Sequence, residues 1–134
     1  MNESLKVTRK FHVACRQHGR KQIRDGSAPD VPVGRVPRIA RLMALAIRCD
    51  QLIRDGVIAN QSELADFGRI TTARMTQVMT LLNLAPDLQE QVLFLPRTEH
   101  GRDAIKETDV RPIAQTLDWR KQRRMWAALK RNAN

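Results

Sequence analysis

The side chains able to do chemistry fall into three groups along the 134 residues. The first is His12-x-x-Cys15-x-x-His18, with Cys49 as a fourth candidate, which has the look of metal-ligand spacing. Zinc sites are usually built from CxxC or HxxxH pairs, and His12 and Cys15 fall on opposite faces of the strand expected there, so no metal is expected. Catalysis fares no better. His12, His18 and His100 lie in an arm and a loop, with no recognisable nucleophile or carboxylate pairing, and no glycine-rich phosphate loop is present. The chain is expected not to be an enzyme and to use no cofactor, metal or small-molecule substrate.

The second group lies between Asn60 and Leu82. Asn60 offers an N-cap with Glu63 three residues on, and a short helix runs to about Phe67. Gly68-Arg69-Ile70 makes a turn, and Thr71 caps a further helix to about Leu82. This is the order of a helix-turn-helix. Two helices crossing at a wide angle need a small residue at closest approach, which Ala65 supplies, while Leu64, Ile70, Met75 and Val78 anchor both helices and the turn. Many such motifs carry a turn glycine where this chain has Arg69. What stays outward on the second helix is Thr72, Ala73, Thr76 and Gln77, flanked by Arg74. These are groups suited to a DNA major groove, approached by the positive end of the helix dipole. Thr72, Ala73, Thr76 and Gln77 are expected to face the groove, and Arg69 and Arg74 to reach a base edge or phosphate. Asn60 and Gln61 are expected to hold the DNA backbone at the first helix.

The third group is a basic C-terminal helix starting near Asp118. Trp119 and Trp126, and more loosely Leu117, Met125 and Leu129, form its apolar side, with both tryptophans expected to anchor the core. Arg120, Lys121, Arg123, Arg124, Lys130 and Arg131 project elsewhere, and residues 120–131 are expected, with residues 1–38, to add non-specific attraction to phosphates.

The run Ser62-Glu63-Leu64-Ala65, then Thr72-Ala73-Arg74-Met75-Thr76-Gln77-Val78, then Leu81-Leu82-Asn83-Leu84-Ala85-Pro86-Asp87-Leu88-Gln89-Glu90 resembles the central DNA-binding domain of the ParB and KorB partition proteins. That family follows its recognition helix with a leucine-rich stretch, a proline and another helix, and has an antecedent helix like residues 38–55. The resemblance covers about residues 38–116 and weakens after Pro96. The family's nucleotide-binding region, with its arginine-rich box, has no counterpart in residues 1–37. The resemblance therefore implies the fold and operator-type DNA recognition by the third helix. It does not imply nucleotide hydrolysis, clamp sliding or partition.

The elements that must position these groups are mainly α-helical. Ile39, Leu42, Met43, Leu45, Ala46, Cys49, Leu52 and Ile53 repeat at three and four and predict a helix from Arg38, with Gly56 as its left-handed stop. Pro86 suits the first turn of another helix ending near Leu95-Pro96, residues 97–104 read as a loop, and a short helix disturbed by Pro112 spans about Glu107 to Thr116. Over residues 5–15, Leu5, Val7, Phe11, Val13 and Cys15 alternate with polar residues and predict one strand, which needs a partner, such as one from a second subunit. Residues 16–37, punctuated by Gly19, Gly26, Ser27, Pro29, Pro32, Gly34 and Pro37, read as a basic flexible connector. The expected organisation is an arm and linker over 1–37, a helix-turn-helix core over 38–96 and a basic helical extension over 97–134.

Charge fits that layout. The formal net charge is +10, divided as +6 over residues 1–38, −1 over 39–96 and +5 over 97–134. Basic ends around a near-neutral middle attract polyanions. With 42% apolar residues the chain can build a core without staples, and two cysteines without disulfide spacing fit a reducing cytosol. The first twenty residues hold no signal-like apolar block, and the longest apolar run, Leu42 to Ile47, is far short of a membrane span. A cytoplasmic, nucleoid-associated protein is expected, binding double-stranded DNA as a homodimer, because one helix-turn-helix reads only a few base pairs. The alternative is an accessory protein-interaction subunit of a larger DNA-processing complex. RNA binding is disfavoured by the absence of tyrosine and of a stacking platform.

Overall fold

A computed structural model describes residues 6–15, 21–27 and 32–133, the side chain of Cys15 excepted. The chain divides into two compact units, residues 1–32 and 33–134. Leu5, His18, Gly19 and Pro29, which figure in the expectations above, lie outside the described residues.

In the first unit, β1 (Phe11–Cys15) pairs antiparallel with β2 (Lys21–Asp25), setting Val13 opposite Ile23. The Gly26 N–H donates to the Lys10 carbonyl at 2.8 Å, and His12 Nδ1 donates to the Gly26 carbonyl at 3.1 Å. The long strand with an outside partner is thereby corrected: the strand starts at Phe11, and its partner comes from the stretch read as a connector. The sequence Lys-Gln-Ile-Arg-Asp holds one apolar residue and every position is exposed, so pairing rather than burial makes it a strand. Phe11, Val13 and Ile23 share one face and all stay exposed.

The second unit is helical: α1 (Arg38–Arg54), α2 (Gln61–Gly68), α3 (Thr72–Met79), a 3-10 turn (Thr80–Asn83), α4 (Pro86–Leu93), α5 (Glu107–Ala114) and α6 (Trp119–Ala133). The stripe Ile39, Met43, Ala46 and Cys49 buries α1 against the rest, and Gly56 follows it at φ +74°. Burial pushes the Cys49 thiol up from its ordinary pKa. Met43, Val78, Leu81, Leu84, Leu88, Val92, Val110 and Trp126 complete one continuous core. The helix expected to reach Leu82 ends at Met79 and tightens into the 3-10 turn. Pro86 excludes a helical Ala85, which sits at ψ 143°, while Leu81 and Leu84 both turn inward.

The connector expectation fails again at Gly34–Pro37. Arg35 and Thr98 exchange backbone hydrogen bonds of 3.0 and 2.9 Å. Asp103 takes the Arg35 guanidinium at 2.8 Å, the Arg38 N–H at 2.9 Å and the Thr98 hydroxyl at 2.7 Å. These bonds, the Arg38 N–H foremost, hold the Asp103 carboxyl below the usual range. Loop 97–104 is thus strapped to the entry of α1.

The apolar face of α6 is also rotated from expectation. Trp126 is buried, with Met125 and Leu129 packed beside it, but Trp119 is 48% exposed and Leu117 is 88% exposed. Trp119 therefore does not anchor the core: it stands at the open start of the helix, and the inward position one turn on belongs to Gln122. Among the described residues no helix is long and apolar enough to cross a membrane.

Candidate nucleic-acid interface

The outward face of α3 rests on two short-range devices and one long-range one. Asn60 Oδ1 accepts the Glu63 N–H at 3.0 Å, and Glu63 Oε2 accepts the Ala59 N–H at 2.9 Å, which together start α2. Thr71 Oγ1 accepts the Arg74 N–H at 3.1 Å and starts α3. Between the helices Arg69 adopts the left-handed conformation, φ 53° and ψ 42°, and is the one non-glycine with positive φ among the described residues. The Ile70 N–H reaches back to the Ala65 carbonyl at 3.0 Å, so the end of α2 is closed and the chain turns sharply. The turn forms without its glycine, and Arg69 carries the steric cost, roughly 1–2 kcal/mol.

Beneath α3, Met75, Val78 and Met79 are buried, and Leu64 and Ala65 are buried on α2. Ile70, expected as an anchor, is instead exposed at 38% and takes no part in the core, because the closing bond of its N–H to Ala65 fixes the turn without burying its side chain. Thr72, Ala73, Thr76 and Gln77 are all exposed and share the open side of α3. Thr76 donates its hydroxyl hydrogen to the Thr72 carbonyl at 3.0 Å, so toward solvent it offers an acceptor oxygen and a methyl group.

Arg74 has a different occupation from the one expected. Its Nη1 and Nη2 donate to Glu107 Oε1 and Oε2 at 2.6 and 2.9 Å, and Nη1 also donates to Gln77 Oε1 at 3.2 Å. Arg111 adds a third bond to Glu107 at 3.1 Å. Glu107 is mostly covered, and the Arg74 guanidinium holds its carboxyl below the usual glutamate range, working against burial. Arg74 is thereby a half-buried strut tying α3 to α5, with its forked end taken up by the Glu107 carboxylate.

The remaining expected site residues divide. Asn60, Gln61 and Arg69 are exposed at the start and end of α2, although the Asn60 oxygen is spent on the cap. Arg120, Lys121 and Arg124 are exposed on α6. Arg123 is engaged: its Nε and Nη2 donate to the two oxygens of Asp87 at 3.0 Å each, which lowers the Asp87 pKa. Among the described residues no hydrogen bond or ion pair joins α6 to α3. Instead α6 is held to α4 by Arg123–Asp87 and by the Trp126 indole N–H on Gln91 Oε1 at 2.7 Å.

Two residues that matter were not found from the sequence. Glu107 sits 33 positions from Arg74, and nothing local signals the pairing. Gln122 lies inside a run of cations, yet is fully buried, accepting the Ala85 N–H at 2.9 Å and donating to the Asn83 and Thr116 carbonyls at 3.0 and 2.6 Å. Its one signal is helical register, one turn before Trp126. Compared with known proteins, the chain matches no family model, no curated protein and no solved structure.

Proposed function

We propose that this protein binds double-stranded DNA sequence-specifically, as a regulator or a partition-like or mobile-element factor, with α2 and α3 acting as a helix-turn-helix and α3 as its recognition helix. The observation that carries the reading is the open face of Thr72, Ala73, Thr76 and Gln77 on a helix fixed from behind by Met75, Val78 and the Arg74–Glu107 strut. A short rigid helix with small polar groups outward and its capped N-terminus accessible has the shape and chemistry of a major-groove reader. The exposed cations Arg69, Arg120, Lys121 and Arg124 and the net +10 supply phosphate attraction, and a two-fold dimer would extend the site. The likeness of residues 38–116 to the ParB and KorB central domain points the same way.

A second reading has its own support. Phe67 at the end of α2 is 74% exposed and Leu117 is 88% exposed, as they would be on an accessory subunit that docks on a larger DNA-processing protein. Mobility shifts with duplex, single-stranded DNA and structured RNA at two salt concentrations separate these readings. DNA recognition predicts a duplex preference that salt weakens steeply. Absence of duplex binding at physiological salt favours the accessory subunit, and preference for RNA overturns both.

A further inference from the structure

Two guanidiniums close on one carboxylate between α3 and α5, and one of them is surplus. Arg74 by itself takes both oxygens of Glu107, at 2.6 and 2.9 Å, and balances its charge. Arg111, in the last turn of α5, adds only its Nη2, 3.1 Å from Glu107 Oε1. Its Nε is buried without an acceptor. Its Nη1 makes no hydrogen bond among the described residues and is not enclosed as Nε is. Two cations on one anion leave one positive charge uncompensated. The Arg74 and Arg111 side chains are similarly exposed, at 29% and 31%, but both terminal nitrogens of Arg74 are engaged. The open end of the excess charge is therefore Arg111 Nη1.

Shared atoms fix where that end lies. Arg74 Nη1, on α3, and Arg111 Nη2, on α5, both donate to the same Glu107 oxygen, at 2.6 and 3.1 Å. Arg111 thus ends on the flank of α3 that faces α5, beside the open face of Thr72, Ala73, Thr76 and Gln77 and not on it. An α-helix with its side chains is about 10–12 Å across and the major groove about 12 Å wide, so a helix seated there has a phosphate backbone along each flank. A cation on the flank meets phosphate, whereas base edges lie under the open face. We infer that Arg111 is a phosphate contact at the groove edge, held there by Glu107, which sets the position of α3 on the duplex without reading its sequence. This rests on the reading of α3 as the recognition helix.

The test is duplex affinity against salt for the full-length wild type, Arg111→Gln and Arg111→Lys, on a duplex selected by the wild type and on an unrelated one. Arg111→Gln is expected to make the slope of log affinity against log salt shallower by about 0.9, the share of one phosphate. It should weaken both duplexes alike and leave the preferred sequence unchanged. Arg111→Lys, which keeps the charge and loses the fork, is expected to restore the slope. A merely structural part in the clamp predicts instead that both variants fail together, and that outcome overturns the assignment. So does an unchanged slope in Arg111→Gln. A second measurement needs no variant, so loss of folding in Arg111→Gln leaves it decisive. In the wild type the nuclear magnetic resonance signal of the buried Arg111 Nε–H should shift on adding the selected duplex. It should not shift with the same sequence carrying neutral methylphosphonates along the groove edge. An unmoved signal, or an equal shift with both, overturns the phosphate contact while leaving duplex binding intact. If the wild type binds no duplex at all, recognition by α3 falls, and this inference falls with it.

Discussion

Gln122 is the residue on which the packing of α6 turns, and replacing it by leucine isolates what its amide does. Leucine nearly conserves volume, so the loss is mainly of hydrogen bonds. The Ala85 N–H is the most serious orphan, because Ala85 is itself fully buried and its N–H is bonded to the Gln122 oxygen at 2.9 Å. Leaving a buried donor unpaired costs about 1–3 kcal/mol. Asn83 is exposed and Thr116 half-buried, so their carbonyls regain water and lose roughly 0.5 kcal/mol each. Gln122→Leu should thus cost about 2–4 kcal/mol, a large part of the 5–15 kcal/mol typical of a domain. Urea unfolding followed by tryptophan fluorescence reads this directly, since Trp126 is buried one turn away.

Gln122→Glu sharpens the case. An ionised carboxylate there would face the two carbonyls of Asn83 and Thr116, whereas the protonated acid could donate to one of them. Its folded-state pKa would lie above the ordinary value of about 4.3, so the variant should be most stable below that value and lose stability as pH rises through the raised one. At pH 7 it should be the less stable of the two variants. A Gln122→Leu protein within about 0.5 kcal/mol of wild type, the spread of ordinary surface substitutions, would refute the argument.

Three further outcomes are expected. At the left-handed Arg69, glycine should be more stable than alanine by about 1 kcal/mol, read as a difference in urea midpoint between variants that both lack the charge. Gly34→Ala should destabilise by about 1–3 kcal/mol, because Gly34 sits at φ +91° and a Cβ there would stand 2.8 Å from the Thr98 carbonyl oxygen. An unchanged thermal midpoint would mean that the strap between Arg35 and Thr98 does not hold. Glu107, with its carboxyl depressed by Arg74, contributes stability that is complete above the ordinary glutamate range and is lost as pH falls through its depressed pKa. Stability measured against pH should accordingly show a shallower acid limb in Glu107→Gln than in wild type.

Much of the helical unit is legible because its helix starts are written locally. Asn60 with Glu63, Thr71 and Pro86 each act within a few residues, and α2, α3 and α4 begin where these residues predict. The three-and-four spacing of Ile39, Met43, Ala46 and Cys49 likewise fixes α1. Misreadings arise where partners are distant. β2 has no apolar period to reveal it and exists through its pairing with β1. Arg35 looks like linker charge until Asp103 and Thr98 arrive from the other side of the fold. Arg74 reads as an exposed contact because the carboxylate that claims it belongs to α5. Trp119 reads as core by residue type, whereas helical register gives the inward place to Gln122. At the candidate site itself, Thr72, Ala73, Thr76 and Gln77 are found on the open face that the pattern assigns, and Arg74 is not.

The most direct test of the central claim is a map of the protein surface that a duplex covers, by backbone amide shifts on adding a DNA selected for binding. Recognition by α3 should give perturbations centred on Gln61 and on Thr71 to Gln77, with weaker, salt-sensitive changes along residues 120–131. Perturbations confined to the basic segments, with α3 unmoved, would contradict it.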